Sequence, residues 1–263
     1  MGSRRENRTR SLTLIAALAV VYTVLRVIPT FPMVGVPGSR FTSSDFVASL
    51  YGVILGAFSG AFCIVLGTFI AFLLGRPPVF LGLDFLPAMV NALVVGLAVR
   101  GRRGYAALIY LLLLAAFLGH PFGATLVRVT PFWSRGSLTF PFVWLHIIGL
   151  VVLLSPAGLR FGRLIAEPSI RLNAAGFSLL SLVGTLTQHL TGNLLYASII
   201  LPMLSEEART ASWALIFWLY PVERIMIVAM STIIGVPIIR AVRSSSFVKI
   251  KGRSEVSTSK AEG

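Results

Sequence analysis

Long apolar runs alternate along this chain with short polar or basic breaks. Clear runs cover residues 11–29, 83–99, 104–119, 138–156, 173–201 and 212–239. A hydrocarbon core of ~30 Å is crossed by about 20 helical residues, so each run predicts a membrane helix. The runs lack the alternation of barrel strands, and only helices satisfy their own backbone groups in lipid without barrel closure. The remaining stretch, 45–75, sets the topology. It opens on Asp45, carries no further charge before Arg76 and holds Gly52, Gly56, Gly60 and Gly67. It is too long for one ordinary span and short for two.

Charge placement divides it. The net charge is +14, concentrated at Arg4, Arg5, Arg8 and Arg10; at Arg100, Arg102 and Arg103; at Arg160, Arg163 and Arg171; and in the tail from Arg240 to Lys260. A single helix over 45–75 puts Arg100–Arg103 on the side opposite the N-terminus. Two helices, with a turn near Gly56–Gly60, put all four clusters on one side, as the positive-inside rule favours. The prediction is an all-α polytopic membrane bundle of about eight transmembrane helices with both termini cytoplasmic. It divides into a basic N-terminus (1–10), a single transmembrane domain (11–241) and a polar basic tail (242–263). The 45–55 helix is then only ~17 Å long and must be buried against neighbours or tilted. For the glycines two readings stand, a tight turn and a close helix contact. Basic clusters beside spans argue against nucleic acid and for contact with membrane lipid.

Composition agrees: 56% hydrophobic, 12% charged, mean hydropathy +0.87. Cys63 is the lone cysteine, so an intrachain disulfide or a cysteine metal site is excluded. The basic N-terminus and following apolar run lack a small-residue cleavage site, which predicts an uncleaved first helix. Outer loops are expected at approximately 30–44, 76–82, 120–137 and 202–211, the third holding Arg128, Trp133 and Arg135.

No Walker motif, nucleophile elbow, His-Glu-x-x-His or dinucleotide fingerprint occurs. The expectation is therefore a non-enzyme with no cofactor and no metal, and any ATP-driven function needs other chains. Glu206, Glu207 and Arg209 read as solvated loop charges. Asp45 and Asp84 each open a helix, where a carboxylate caps backbone amides; substrate contact is the other reading. His189, Asn193 and Tyr196 share one helix face. Glu223 lies ~25 Å up the last helix from Arg240, and His189 about 24 Å above Asn173, so both sets reach similar depth in the outer half of the membrane. Ionisable groups within spans face a cavity or each other. Glu223 is thus expected to pair with Arg26, Arg224 or His189, to line an outward pocket, or both. The candidate substrate-binding residues are His189, Asn193, Tyr196, Tyr220, Glu223 and Arg224, with Asn91 from the 83–99 helix. Trp218 or Trp133 could stack on a ligand ring. His146, alone on an apolar helix, reads as a packed, hydrogen-bonded residue. Arg40, Arg76 and Arg128 have two readings, solvated loop charges and groups that favour an anionic substrate.

The order of these segments resembles the substrate-binding S components of energy-coupling factor transporters. An alanine-rich first helix, LTLIAALAVVYTVL, precedes a Pro/Gly-rich loop, then SSDFVASLYGVILGAFSGAFCIVLG, then GLDFLPAMVNALVVGLAVRGRR. The likeness covers approximately residues 11–120 and the last two helices. It implies a multi-pass cell-membrane protein that captures a vitamin or similar micronutrient from outside. A transmembrane coupling protein and two ATPase subunits would drive uptake. The resemblance also implies a partner-docking face on the first helix, here Thr13, Ala16 and Ala17, although Val20 and Val21 stand where the family's second alanine would fall. Family members have about six helices, so the 138–156 run looks like an addition to a six-helix core. The alternative is a self-sufficient, proton-coupled secondary transporter using Glu223 and His189.

Overall fold

The structure, a computed structural model, describes residues 2–33, 36, 38–130 and 136–244. Trp133, Arg135 and the basic tail beyond Ser244 lie outside the described residues, as do the side chains of Arg4, Arg5, Arg8 and Arg10. The fold is predominantly helical. Its helices are α1 (Gly2–Val27), α2 (Ala48–Leu55), α3 (Ala57–Leu73), α4 (Leu86–Val99), α5 (Arg103–Gly119), α6 (Trp144–Leu154), the short α7 (Pro156–Leu159) and α8 (Phe161–Ala166), α9 (Ile170–Leu195) and α10 (Glu206–Ser244).

The 45–75 stretch is two helices, broken at Gly56. There φ is +85° and ψ 178°, a region open essentially to glycine alone. The chain reverses sharply, and a Cβ at Gly60 would meet the Tyr51 carbonyl oxygen at 2.8 Å. Both readings of the glycines therefore apply, each at different positions. Gly56 makes the turn, whereas Gly52, Gly60 and Gly67 sit where the backbones of α4, α2 and α1 come close. Across the last of these contacts Thr23 donates to the Gly67 carbonyl at 3.1 Å. Residues 48–54 are buried without a break, so α2 is a core plug of about 12 Å.

Helix α9 is the axis of the bundle. Residues 183–191 are all buried, so every face of the helix is covered, by α4, α10, α6 and α5 among others. Arg100, Arg103, Arg240 and Arg243 collect at one end. Arg100 donates to the Leu55 carbonyl (3.2 Å) and Arg103 to those of Leu154 (3.0 Å) and Ser155 (3.2 Å). Arg240 donates to Pro168 (2.7 Å), and Arg243 to Ile165, Ala166 and Glu167. Arg100, Arg103 and Arg243 close helix C-termini, where carbonyls lack partners and the dipole favours a cation, and Arg240 holds the loop after α8.

Two regions depart from expectation. The 138–156 run is not one helix: Leu138–Pro141 (β4) pairs antiparallel with Leu126–Val129 (β3), in register Leu126↔Pro141 to Val129↔Leu138. Val127 and Val129 alternate inward along β3, the β-branched period-2 pattern that suits a strand. A second ribbon, β1 (Pro29–Pro32) with β2 (Arg40–Thr42), occupies the first loop. Helix α6 begins only at Trp144 and stops where Ser155 caps the Ala157 amide (3.2 Å). Glu206 and Glu207 stay exposed, but they form the first turn of α10 rather than a loop, where acidic groups complement the dipole. Ser205 accepts from the Ala208 amide (3.3 Å). Ser205→Ala is expected to cost about 1 kcal/mol, read as a small drop in unfolding temperature in detergent; an unchanged value would show the cap makes no contribution.

Two helical segments, Ile170–Met203 and Glu206–Ser244, are long and apolar enough to cross a membrane, and several shorter apolar helices accompany them. Large apolar side chains stand exposed along the outside, among them Val24, Phe58, Phe62, Leu112, Val151 and Ile233.

Candidate functional site

At the end of the bundle opposite the arginine-capped termini, a cleft opens between the β1–β2 ribbon, the start of α4, the end of α9 and the first half of α10. Its cavity volume is about 120 Å³, room for a small ligand and below the ~300–1,000 Å³ of drug-sized ligand pockets. His189, Asn193, Tyr196, Tyr220, Glu223 and Arg224 all line it. Asn91 stands one layer behind. Thr13, Ala16 and Ala17 are exposed on α1, outside the cleft. Arg40 and Arg76 line it too, whereas Arg128 is exposed on β3 and does not. Trp218 belongs to a separate apolar groove with Val129, Phe140 and Pro221.

A buried polar chain forms the floor. Ser49 donates to Asn91 Oδ1 (2.9 Å), Asn91 Nδ2 to Gln188 Oε1 (2.8 Å), and Gln188 Nε2 to Asp45 Oδ1 (2.5 Å). Asp45 Oδ2 accepts from the Thr42 amide (3.2 Å), completing a capping box over the turn 43–46. Asp45 thus caps its helical turn, lines the cleft and ties the first loop to α9. Asp84 accepts from the amides of Val79 and Phe80 (2.9 and 3.0 Å), which folds the 79–84 loop over the cleft's other edge. Sequence spacing did not single out Gln188 as the link or Arg26 as a lining residue. The Thr42-x-x-Asp45 capping signature was the readable hint.

One wall is aromatic. His146 and His189 share a hydrogen bond, Nε2 to Nδ1, at 3.0 Å, with ring planes within 7°. Tyr220 stacks on His189 at 4.8 Å between centroids, and its hydroxyl donates to the Phe142 carbonyl (2.9 Å). His189 Nδ1 also faces the Asn193 amide nitrogen at 3.4 Å. With Asn193 donating, Nδ1 is an acceptor, so His146 donates from Nε2 and His189 carries its proton on Nε2. His146 Nδ1 is then a bare acceptor, in keeping with its having no partner. The second histidine's tautomer is held by the first. Just past these residues α9 ends in a π-helical turn at Tyr196–Ile200, a distortion common at functional sites.

The charged wall comes from α1, the loops and α10. Arg224, 1% exposed, donates to Thr185 Oγ1 (3.2 Å), and its guanidinium lies 5.6 Å over the Phe41 ring. It pairs with Glu223 at 3.5 Å; Glu223 therefore both lines the cleft and pairs with a basic neighbour. Arg26 instead donates to the Asp84 carbonyl oxygen (3.1 Å). In the loop between α3 and α4, partial burial, with the positive field of Arg26, holds Arg76 below the usual arginine range. Among the described residues no group of three His, Cys, Asp or Glu is placed to hold a metal ion. Comparison with protein-family models, with curated proteins and with solved structures gave no match.

Proposed function

We propose that this chain is the membrane-embedded substrate-capture subunit of an energy-coupling factor importer, binding a vitamin or similar micronutrient from outside the cell. In this reading α1 to α6, α9 and α10 are eight spans, the arginine-capped end is cytoplasmic, and the cleft faces outward. The observation that carries it is the convergence of the first loop, α9 and α10 on one cleft, at the end opposite the arginine-capped helix termini. The exposed apolar surface suits lipid, since soluble monomers rarely carry large apolar patches. No nucleotide-binding motif is present, so movement of the ligand across the membrane falls to a transmembrane coupling protein and two ATPases. The small exposed residues Thr13, Ala16 and Ala17 let a partner helix approach α1 closely. The protein does no chemistry on its ligand.

Binding should then need no ATP. The chain purified from its native membrane should retain a small molecule identifiable by mass spectrometry. His189→Ala and Glu223→Gln should each weaken its affinity about tenfold or more. Unchanged affinity in both variants would remove this cleft from consideration. The hydrogen-bonded histidine pair with Glu223 nearby favours one second reading, a proton-coupled secondary transporter. That reading requires the purified chain alone to accumulate substrate in liposomes under a pH gradient; capture alone requires that it does not.

A further inference from the structure

Four guanidinium groups line the cleft, and the chain offers them few acceptors. Arg26, Arg40, Arg76 and Arg224 each carry five N–H donors. Arg26 uses one on the Asp84 carbonyl, and Arg76 one on the Arg40 carbonyl (3.0 Å). Arg224 uses one on Thr185 and a long one on Glu223. The Arg40 side chain makes no hydrogen bond among the described residues. Arg26 is 7% exposed and Arg224 1%, and the Nε of each is buried without a partner.

The carboxylates do not balance this. Asp84 is engaged by two loop amides, and Asp45 by the Thr42 amide and Gln188. The one ion pair at the cleft among the described residues is Arg224–Glu223, at 3.5 Å. Buried cations with unfilled donors are costly unless an anion completes them, and guanidinium groups match the planar oxygens of a carboxylate or phosphate. The lining also carries an apolar set, Phe41, Val79, Phe80, Ile216 and Leu219 among it, beside the polar Thr42, Gln188, Asn193 and Tyr196.

We infer that the cleft takes a small amphipathic organic anion. Its oxyanion head, a carboxylate or phosphate monoester, sits among Arg26, Arg76 and Arg224, and its apolar body lies against Phe41, Phe80, Ile216 and Leu219. This names the substrate class of the capture site and rests on that reading of the cleft.

The test uses the full chain in nanodiscs of zwitterionic lipid, which leaves no anionic headgroup to compete. The probes are phenylbutyrate, phenylbutyl phosphate, phenylbutyramide and phenylbutylamine, with the matching octyl series, read by thermal shift and titration. The anions should raise the unfolding temperature, and the amides and amines should not. The better of the two anions identifies the head group. Arg26→Gln and Arg76→Gln should each weaken anion binding about tenfold. If either variant destabilises the empty protein, Arg40→Gln carries the test. It breaks no side-chain bond, should leave the empty protein's unfolding temperature unchanged, and should weaken the anion about threefold. Preference for amine or amide, no stabilisation by any anion, or wild-type anion affinity in every arginine variant whose empty protein keeps its stability would overturn the inference. Anion preference in a chain that purifies without ATPase partners would keep this inference and remove the importer reading. Amine preference in a chain that brings ATPases with it would do the reverse.

Discussion

Gln188→Leu is expected to lower the unfolding temperature in detergent by several degrees. The side chain is one link in a buried chain, accepting from Asn91 and donating to Asp45. Leucine fills a similar volume but leaves the Asn91 amide without an acceptor and one carboxylate oxygen without a donor. A hydrogen bond to a charged group contributes about 1.5–3 kcal/mol, and an orphaned buried polar atom costs about 1–3 kcal/mol. A loss of about 2–4 kcal/mol follows, reduced to the extent that cleft arginines reorient toward Asp45. The loss should be shared with Asp45→Ala and be less than additive in the double variant, because both break one bond. It should also weaken ligand binding, since this bond ties the first loop to α9. Wild-type stability in Gln188→Leu would mean that the network contributes nothing.

Gly56→Val is the second large effect. Its backbone, at φ +85° and ψ 178°, lies where side-chain-bearing residues store about 1–3 kcal/mol of strain. A Cβ there would also strike the Arg100 guanidinium and displace its cap on the Leu55 carbonyl. Gly75 provides the comparison. Its φ is +92°, but a Cβ there meets nothing within 4 Å, so Gly75→Ala should carry strain alone. Gly56→Val should be clearly the worse of the two, and partly relieved by Arg100→Ala. Equal losses at the two glycines would remove the steric part of the argument.

What the amino-acid order disclosed depended on whether the signal was local. The break in 45–75 was readable because charge placement constrained it, and glycine is the residue that tolerates such a turn. Six of the seven substrate-site candidates lie on two helices, where spacing of three or four places residues on one face, and they do meet in the cleft. The seventh, Asn91, was assigned to the pocket but supports it from behind. The β3–β4 ribbon was hidden because apolar residues run on from Leu138 through α6, and a continuous apolar run does not distinguish strand from helix. Glu206 and Glu207 were read as loop charges because they fall in the break 202–211 between two apolar runs, yet Ser205 ahead of them was a readable cap. The Gln188–Asp45 bond spans 143 positions, and the His146–His189 pair joins two helices 43 apart. No pattern within a single element encodes such partners. They arise from packing around α9.

The most direct test of the central claim is mass spectrometry of the chains that co-purify when the full protein is isolated from its native membrane in mild detergent. The account predicts a transmembrane coupling protein and two ATPase chains in stable association, lost when Ala16 and Ala17 are replaced by leucine on the exposed face of α1. Recovery of the chain alone, with its small molecule still bound and uptake in liposomes driven by a pH gradient, would contradict it.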